Sequence, residues 1–487
     1  MESASAPTYW ITRLLFQRAL GFIYLIAFLV TANQGRALIG EQGLLPIPLF
    51  LKRIHFWDAP SLFWLHSSDR ALLAVAGIGV FLAVLAVTGV SERFGIVVSA
   101  LVWFLLWVLY LSFVNVGQTF YSFGWETMLL EAGFLAIFLG SNDTRPPVVV
   151  IWMYRWMLFR LMFGAGLIKL RGDACWRDLT CMFYHYETQP IPNPLSWHLH
   201  QLPPLVHKAG TAFTHFIEIA MPWLYFFPRR IGVIGGLSAV LFQVMLILSG
   251  NLSWLNYLTI AIAIPCFDDA FLSKFIPIAA PAAVPMGDVR KGAIAVLALL
   301  VAALSVRPAA NLVSRLQLMN ASFEPLHLVN TYGAFGSITK ERTEIIIEGT
   351  EEAVILPDTK WRAYEFKAKP GDPHRPPPVI APYHLRLDWL MWFAAMSDWR
   401  RHPWFLNLVA KLLQGDEKTL KLLDKDPFPG APPRTIRAVL YLYRFTTPEE
   451  KRRTGDWWHR EPVAIYLPPV SLQNSEFTSL LKRAGWL

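Results

Sequence analysis

The sequence predicts a polytopic α-helical membrane protein, with about eight or nine spans, that carries a small β-rich C-terminal extracytoplasmic domain. Of its 487 residues, 54% are hydrophobic and 16% are charged, whereas soluble domains are about 25% charged. The apolar fraction also excludes a disordered or collagen-like chain. The 20 tryptophans and 33 phenylalanines suit a solvent with an interface, where amphipathic rings collect.

The charges divide the chain into two parts. Residues 310–487 hold 24 Lys and Arg and 20 Asp and Glu, a charge density typical of a soluble domain, while residues 1–309 hold only 20 basic and 15 acidic residues. We therefore expect a transmembrane helical domain over 1–309 and an extracytoplasmic β-rich domain over 310–487. Neither part is basic enough to indicate a nucleic-acid partner.

The membrane domain is predicted from apolar segments, since a spanning helix needs about 20 mostly apolar residues. Nine segments meet or approach this length: 13–32, 71–90, 94–116, 125–140, 148–169, 210–227, 231–249, 252–266 and 292–307. The first continues past its apolar run without a signal-peptidase site, so we interpret it as a retained helix. The segments 125–140 and 252–266 are short for a span.

The orientation follows from the basic residues of the short loops. They fall on one side of the membrane if the N-terminus is cytoplasmic, as the positive-inside rule expects: Arg13, Arg18, Arg93, Arg145, Arg229, Arg230, Arg290 and Lys291. Nine spans then place the C-terminal domain outside the cytoplasm, together with the long loops 33–70 and 170–209.

Cysteine usage agrees with this orientation. Cys175 and Cys181 share one outer loop, with the sequence CWRDLTC, while Cys266 lies at the cytoplasmic end of the eighth segment. A disulfide between the first two is sterically plausible and would persist outside the cytoplasm. The alternative is two unpaired small residues, and we favour the disulfide.

The C-terminal domain alternates turn residues with short runs of β-branched and aromatic residues. We expect strands at 343–350, 362–369, 437–445 and 463–467, and a helix over 404–423 that is interrupted near Gly415. The region contains no P-loop, G-x-G-x-x-G or G-x-S-x-G motif, so nucleotide binding and α/β-hydrolase chemistry are unsupported. Its tryptophans suit core packing or, alternatively, a face that binds a polypeptide or the bilayer: Trp389, Trp392, Trp399, Trp404, Trp457 and Trp458.

Ionisable residues inside the spans are the main functional signal, because a charge in the membrane is costly and marks either a site or a structural pair. They are Glu126, Glu131, Arg155, Arg160, Lys169, His215 and Glu218. On the structural interpretation, the two glutamates on the fourth segment neutralise the two arginines on the fifth. On the functional interpretation, the charges line an outward-opening cavity in which a desolvated Lys169 acts as a base. The first interpretation is favoured.

Histidines in the 170–209 loop offer weaker evidence for a metal. His185, His198, His200 and His207 lie there, but no second cluster with ligand spacing accompanies them. We therefore expect neither a metal nor a cofactor.

Long strings of the sequence resemble the lipase maturation factor family. In the membrane domain they are YWITRLLFQRALGFIYLIAFLVTANQGRALIGEQGLLP, FGWETMLLEAGFLAIF and RWMLFRLMFGAGLIKLRGDACWRDLTCMFYHYETQPIPNPLSW, and in the tail LVNTYGAFGSITKERTEIIIEGT, DWLMWFAAM and WFLNLVAKLLQGD. The resemblance implies a chaperone-like membrane protein that helps exported clients such as lipases to fold. In animals, members of this family lie in the endoplasmic-reticulum membrane, which would place the C-terminal domain in the lumen. The alanine-rich helices of this chain instead favour a bacterial inner membrane with a periplasmic C-terminal domain.

A shorter run, GAGLIKLRGDACW, is similar to a pattern of membrane proteins related to the vitamin K-dependent γ-carboxylase, in which a lysine at this place is a catalytic base. That resemblance would give the role to Lys169.

Three hypotheses follow, in order of preference. The chain is a maturation factor for exported enzymes, without catalytic activity of its own. Alternatively, it is an integral-membrane enzyme with a polar cavity near Lys169 that acts on a lipid, quinone or peptide. The third hypothesis, a transporter, lacks visible inverted repeats.

Overall fold

A computed structural model describes residues 7–227, 229–280 and 284–487. Each of the nine apolar segments expected from the sequence is helical within these ranges. Their helices are α1 (Trp10–Ile39), α2 (Asp69–Thr88), α3 (Ile96–Val116), α4 (Gly124–Ala136), α5 (Val148–Arg171), α6 (Pro204–His215), α7 (Arg229–Ser249), α8 (Leu255–Ala263) and α9 (Asp288–Val313).

Six of the described helices are long and apolar enough to cross a membrane alone, namely α1, α2, α3, α5, α7 and α9. The other three are shorter or irregular. Helix α4 has 13 residues, α6 continues through a π-helical turn (Phe216–Ala220) and a 3₁₀ turn (Met221–Phe226), and α8 ends in a 3₁₀ turn (Ile264–Cys266). Short helices cap the loops: Ile47–Leu51, Ala174–Arg177, Met182–Thr188, Pro194–His200 and Asp269–Leu272.

Contacts between loops define one end of the bundle, which we call the inner end. The indole N–H of Trp10 donates to the carbonyl of Asn142, in the α4–α5 loop, at 2.8 Å. The Asp269 carboxylate, after α8, accepts the Trp10 backbone N–H at 2.8 Å. Arg18 pairs with Glu92, in the α2–α3 loop, at 2.5 Å. The loops expected on the cytoplasmic side therefore meet at one end.

The opposite, outer end gathers the remaining loops. Gln118, after α3, donates to the carbonyl of Leu45, after α1, at 3.0 Å. Gln189, in the α5–α6 loop, donates to the carbonyl of Ser249, at the end of α7, at 2.8 Å. Because successive connections alternate between the two ends, all nine helical segments run from one end of the bundle to the other.

The C-terminal region builds two small antiparallel sheets and several helices. The four-stranded sheet has the order β2-β1-β5-β6, and β3 pairs with β4. The strands are β1 (Arg342–Thr350), β2 (Arg362–Ala363), β3 (Glu365–Phe366), β4 (Leu423–Lys425), β5 (Thr435–Phe445) and β6 (Trp458–Val470). The helices are α10 (Arg386–Ala395), α11 (Pro403–Leu413), α12 (Glu417–Leu420), α13 (Pro448–Thr454) and α14 (Ser475–Ala484).

The expected strands are present, with one correction. The run 362–369 is not one strand: it divides into β2 and β3, which join different sheets. The helix expected over 404–423 is present as α11 and α12, separated at Gly415, whose φ of +64° is one that glycine tolerates. Its expected end is wrong, since α12 stops at Leu420 and Leu423 begins β4. The sequence predicts one helical stretch in this region, whereas the described residues there also form α10, α13 and α14. Most side chains of α10 are buried.

The C-terminal region sits directly on the outer end. Asn407 of α11 donates to the carbonyl of Leu44 at 2.9 Å, and Lys418 of α12 pairs with Asp69 at the start of α2 at 2.6 Å. One continuous hydrophobic core joins the membrane helices to this region. Aromatic contacts form the junction: Trp125 with Trp389, Phe123 with Trp389, and Phe120 with Trp404, at 5.0, 6.0 and 6.1 Å between ring centroids. For these two tail tryptophans, core packing is the observed role.

Candidate functional site

The intramembrane lysine forms a buried ion pair at the outer end of α5. Lys169 Nζ lies 2.7 Å from each carboxylate oxygen of Glu218. Both residues are only 4% exposed. Glu218 belongs to the π-helical turn of α6, a distortion that is frequent at functional sites because it re-aims a side chain.

The disulfide loop covers this pair. The Trp176 ring centroid is 5.4 Å from Lys169 Nζ, in a cation–π arrangement. His215 contacts the Trp176 carbonyl oxygen through Nε2 at 3.0 Å. Cys175 and Cys181 form the expected disulfide, with Cα atoms 4.8 Å apart, and thereby close the loop that carries the indole. The disulfide prediction is confirmed.

A cavity of about 60 Å³ adjoins the ion pair. Its walls are mostly apolar side chains of α5, α7 and α8, and its polar groups include Lys169, Glu218 and His185. Burial, and secondarily the nearby lysine, lowers the pKa of His185 to about 4, so its imidazole is neutral at pH 7. Ligand sites usually measure about 300–1,000 Å³. The cavity therefore has room for a few water molecules and not for a lipid or quinone.

The contacts of Lys169 decide what the amine can do. Its donors point to both oxygens of Glu218 and, at 3.5 Å, to the carbonyl of Ala165. A general base needs a free lone pair within reach of the proton it removes. A two-oxygen contact with a carboxylate is the geometry of a charge-assisted pair instead.

A second cluster joins α4 to α5. Arg160 pairs with Glu131, and both side chains are fully buried. The same carboxylate accepts the hydroxyl of Tyr332 at 2.7 Å and the backbone N–H of Asn330 at 3.0 Å. Arg160 also donates to the Asn330 carbonyl at 2.5 Å. The pair thus fixes the segment that leads from α9 into the C-terminal sheet.

A third cluster binds the C-terminal region to the membrane helices. Glu126 of α4 accepts a hydrogen bond from Arg386, the first residue of α10, at 2.7 Å, and both side chains are completely buried. Glu126 also accepts the hydroxyl of Tyr110. The Arg386 guanidinium stacks 3.6 Å from the Tyr121 ring centroid, and its backbone N–H donates to Gln34 of α1.

Arg155 departs from the predicted pairing with a glutamate. It donates to the carbonyls of Pro265 and Tyr225 at 2.9 and 3.2 Å, and to the Tyr9 hydroxyl at 3.2 Å. The pairing expected from the sequence therefore holds for Glu131 and Arg160 and is wrong for Arg155 and Glu126. Arg155 lies near the inner end, where helix termini offer unpaired carbonyl oxygens.

The six candidate residues thus occupy three places in the bundle rather than one cavity. Lys169 and Glu218 line the cavity, and His215 touches the tryptophan above them. Glu131 with Arg160, and Glu126 with Arg386, form separate clusters whose partners come from the C-terminal half of the chain. Sequence reasoning missed Arg386. Its signal is a charge inside the apolar run HLRLDWLMW, which is unusual for an exposed segment.

A fourth buried cluster also escaped the sequence analysis. Arg342 of β1 pairs with Glu344 at 2.6 Å, and Lys369 lies 3.0 Å from the same carboxylate. The Arg342 guanidinium donates to the carbonyls of Gln189 and Pro190, in the α5–α6 loop, at 2.5 and 2.9 Å. This cluster attaches the four-stranded sheet to the loop that follows the disulfide.

The histidines of the α5–α6 loop pack against neighbouring side chains. His200 lies 3.6 Å from Glu187, and burial lowers its pKa to about 4. His207 packs against Phe183, with ring centroids 5.5 Å apart. No group of three or more metal-ligating side chains occurs within the described ranges.

Together these features define a polytopic helical membrane protein. Its C-terminal region after α9, residues 314–487, which we call the outer module, is fixed to the bundle by buried ion pairs. The family model described as lipase maturation factor transmembrane domain matches residues 11–274, and the one described as lipase maturation factor C-terminal domain matches residues 328–468. The chain belongs to the lipase maturation factor family.

Curated relatives match over almost the whole chain. Lipase maturation factor 1 of Mus musculus is 46% identical, across 96% of this chain and 88% of that protein. The Homo sapiens protein of the same name is 44% identical, across 98% and 91%. Lipase maturation factor 2 of Homo sapiens is 29% identical, across 97% and 84%. No solved structure matches the chain.

Proposed function

We propose that this chain is a membrane-anchored maturation factor that assists the folding of exported lipases, which its outer module and outer loops contact. The observation that carries the proposal is the identity of 44–46% to proteins named lipase maturation factor 1, over nearly all of both chains. Membrane lipids surround the helices, and a lipase is the expected client.

The way in which the module is attached supports this role. Two clusters, around Glu126 and Glu131, tie it to the membrane helices, and a third, around Arg342, ties it to the α5–α6 loop, all through fully buried groups. Breaking such a cluster leaves an uncompensated buried charge, which costs about 3–5 kcal/mol. The module is therefore held in one position above the bundle and presents a fixed surface to a client.

The proposed orientation puts the module in the periplasm of a bacterial inner membrane, or in the lumen of the endoplasmic reticulum in a eukaryote. Arg93 and Arg145 lie in inner-end loops, in agreement with the positive-inside rule. The oxidised Cys175–Cys181 pair lies at the outer end, in agreement with an oxidising compartment.

Site-directed labelling tests the orientation. Arg93→Cys and Asp358→Cys introduce exposed thiols at the inner end and on the module, while the native Cys266 is buried. In intact cells or sealed vesicles, a membrane-impermeant maleimide should label the second variant and not the first. Labelling of the first variant alone would reverse the topology.

Complementation tests the function. Mouse cells that lack lipase maturation factor 1 are given this chain, and the specific activity of a secreted lipase is measured against lipase protein. We expect the wild-type chain to restore activity per mass of lipase. The test variant is Arg386→Met, which should abolish rescue because it releases the module. Its matched control is Arg400→Met, which removes an exposed arginine and should leave rescue intact. Unchanged lipase activity with the wild-type chain would refute the proposal in that setting.

The integral-membrane enzyme was the alternative, and it required a lipid- or quinone-sized cavity at Lys169. The cavity there is about 60 Å³, and the amine of Lys169 is hydrogen-bonded to Glu218. No observation therefore favours the alternative over the maturation factor.

A further inference from the structure

The outer end carries an open cleft of about 670 Å³ that none of the clusters above explains. It lies between the end of α3, the α1–α2 loop and the segment that follows α9. Its volume falls in the range of about 300–1,000 Å³ that is usual for ligand sites. Side chains that line it include Trp57, Asp58, Phe123, Phe323, Glu324 and His327.

Two of the three side-chain amides that line the cleft, those of Asn115 and Gln118, donate hydrogen bonds within the protein. Asn115 Nδ2 donates to the carbonyls of Pro60 and Pro325 at 2.9 and 3.0 Å. Gln118 Nε2 donates to the carbonyl of Leu45 at 3.0 Å. Asn320, the third amide, accepts the backbone N–H of Gly333 at 3.3 Å. Because two of the three amides are engaged as donors, a ligand that brings its own hydrogen-bond donors suits the cleft.

These contacts also assign the tautomer of His327. Because the Asn115 amide nitrogen faces two carbonyls, the amide oxygen is the atom that contacts His327 Nε2 at 2.8 Å, and it must accept from a protonated Nε2. Burial lowers the pKa of His327 to about 4, so the ring is neutral and Nδ1 is a bare acceptor. That buried Nδ1 has no hydrogen-bond partner among the described residues.

The charge of the cleft is negative. Asp58 and Glu324 are its carboxylates, and no lysine or arginine is among its described lining residues. Glu324 is partly engaged by the backbone N–H groups of Leu326 and Leu328, whereas Asp58 is exposed. The guanidinium carbon of Arg307 lies 5.8 Å from the centroid of the Phe323 ring.

Aromatic faces complete the cleft. Trp57 is 81% exposed and packs edge-on against Phe56 at 5.2 Å between centroids, so the indole is held in place while remaining open to solvent. Phe323, on the segment that follows α9, also lines the cleft and is half-buried. Planar cations stack on such rings more readily than a compact ammonium does.

We propose that this cleft binds an arginine side chain presented by an extended segment of the client polypeptide. Arginine supplies five donors and a permanent positive charge in one plane, which matches the acceptors, the carboxylates and the indole. The proposal rests on the proposed function, since the client is the polypeptide that the protein meets at this end.

Fluorescence anisotropy with the full-length protein in detergent tests the cleft directly. The probe is a fluorescein-labelled, C-terminally amidated hexapeptide with one arginine among leucines and phenylalanines. We expect saturable binding that weakens with added salt, about fivefold with Asp58→Asn and about tenfold with Trp57→Ala. Both residues are exposed, so the variants should fold. The matched controls Asp358→Asn and Leu65→Ala remove an exposed carboxylate and an exposed apolar side chain elsewhere and should bind within twofold of wild type.

The competing ligands give the contrary outcomes. Equal binding of a peptide with citrulline in place of arginine overturns the assignment of a cation. A mannose oligosaccharide and phosphocholine are added as competitors of the bound probe. If either one displaces the probe, and the unlabelled arginine peptide cannot displace that competitor in turn, the assignment of a peptide is overturned. If the wild-type protein fails to bind the probe but still rescues lipase activity, the cleft proposal falls and the maturation function stands. If the probe binds but lipase activity is not rescued, the proposed maturation function falls and arginine binding by the cleft stands.

Discussion

Replacing the Lys169–Glu218 pair separates a structural role from a chemical one. Lys169→Met leaves a buried glutamate without a partner, and Glu218→Met leaves a buried lysine. Each residue is 4% exposed, so solvent does not screen the remaining charge. Removing one partner of a buried pair costs about 3–5 kcal/mol, which is a large part of the net stability of most proteins.

The double variant Lys169→Met/Glu218→Met removes both charges and fills the space with flexible apolar side chains. The neighbouring cavity wall is mostly apolar, and the replacement of a buried pair by apolar residues of similar volume is often neutral or stabilising. We therefore expect the double variant to recover at least about 3 kcal/mol relative to either single variant. Lys208→Met, at an exposed lysine of α6, is the matched control and should behave as wild type.

The assay measures two quantities on five proteins: the wild type, the two single variants, the double variant and the Lys208→Met control. Size-exclusion chromatography after graded heating reports the folded fraction, and lipase complementation reports function. On the structural interpretation, function follows the folded fraction, so the double variant works and the single variants do not. A double variant that folds as wild type but no longer matures the lipase would refute this reasoning and give the charges a chemical role.

Three further predictions concern other parts of the fold. Arg386→Met should destabilise the protein by about 3–5 kcal/mol, whereas Arg386→Met with Glu126→Met should recover most of that loss, as measured by the same heating assay. The double variant Cys175→Ser/Cys181→Ser should lose up to roughly 3 kcal/mol of stability. Its outer loop should then be cut more readily in limited proteolysis. Acid should destabilise the protein between pH 6.5 and about 4. In this window the unfolded chain binds a proton at His185, whereas the folded chain, in which the pKa of His185 is about 4, does not. When unfolding is measured across that pH range, a His185→Gln variant should lose less stability than the wild type.

The membrane part of the fold was predictable because hydrocarbon imposes strict rules on sequence. Nine apolar segments, the alternation of loops between two ends and the grouping of basic residues at one end were all visible in the chain, since spans need length and apolarity. The same rules made Lys169 and Glu218 visible as unusual residues. Their pairing with each other was not, because α5 and α6 are joined by a long loop whose path follows no local pattern.

The partners in the C-terminal region were hidden for a different reason. Arg386 pairs with Glu126 across 260 residues. Its charge inside the apolar run HLRLDWLMW is unusual, but no local pattern connects that run with the fourth apolar segment. Arg342 is hidden in the same way, inside a strand that is otherwise a plain β-branched run. Sequence reasoning therefore paired Glu131 with Arg160 correctly, misassigned the partner of Glu126 and missed the Arg342 cluster.

The positions of the buried clusters bear on how the protein meets a client. Glu126 and Glu131 lie on one short helix, α4, and each reaches a segment that follows α9: Arg386 in one case and Asn330 with Tyr332 in the other. A shift of α4 would therefore disturb both attachments at once. Because each buried charge resists separation from its partner, the module and the bundle should respond to a client as one body. A client would then be recognised by the preformed outer surface, and not by a module that swings on a tether.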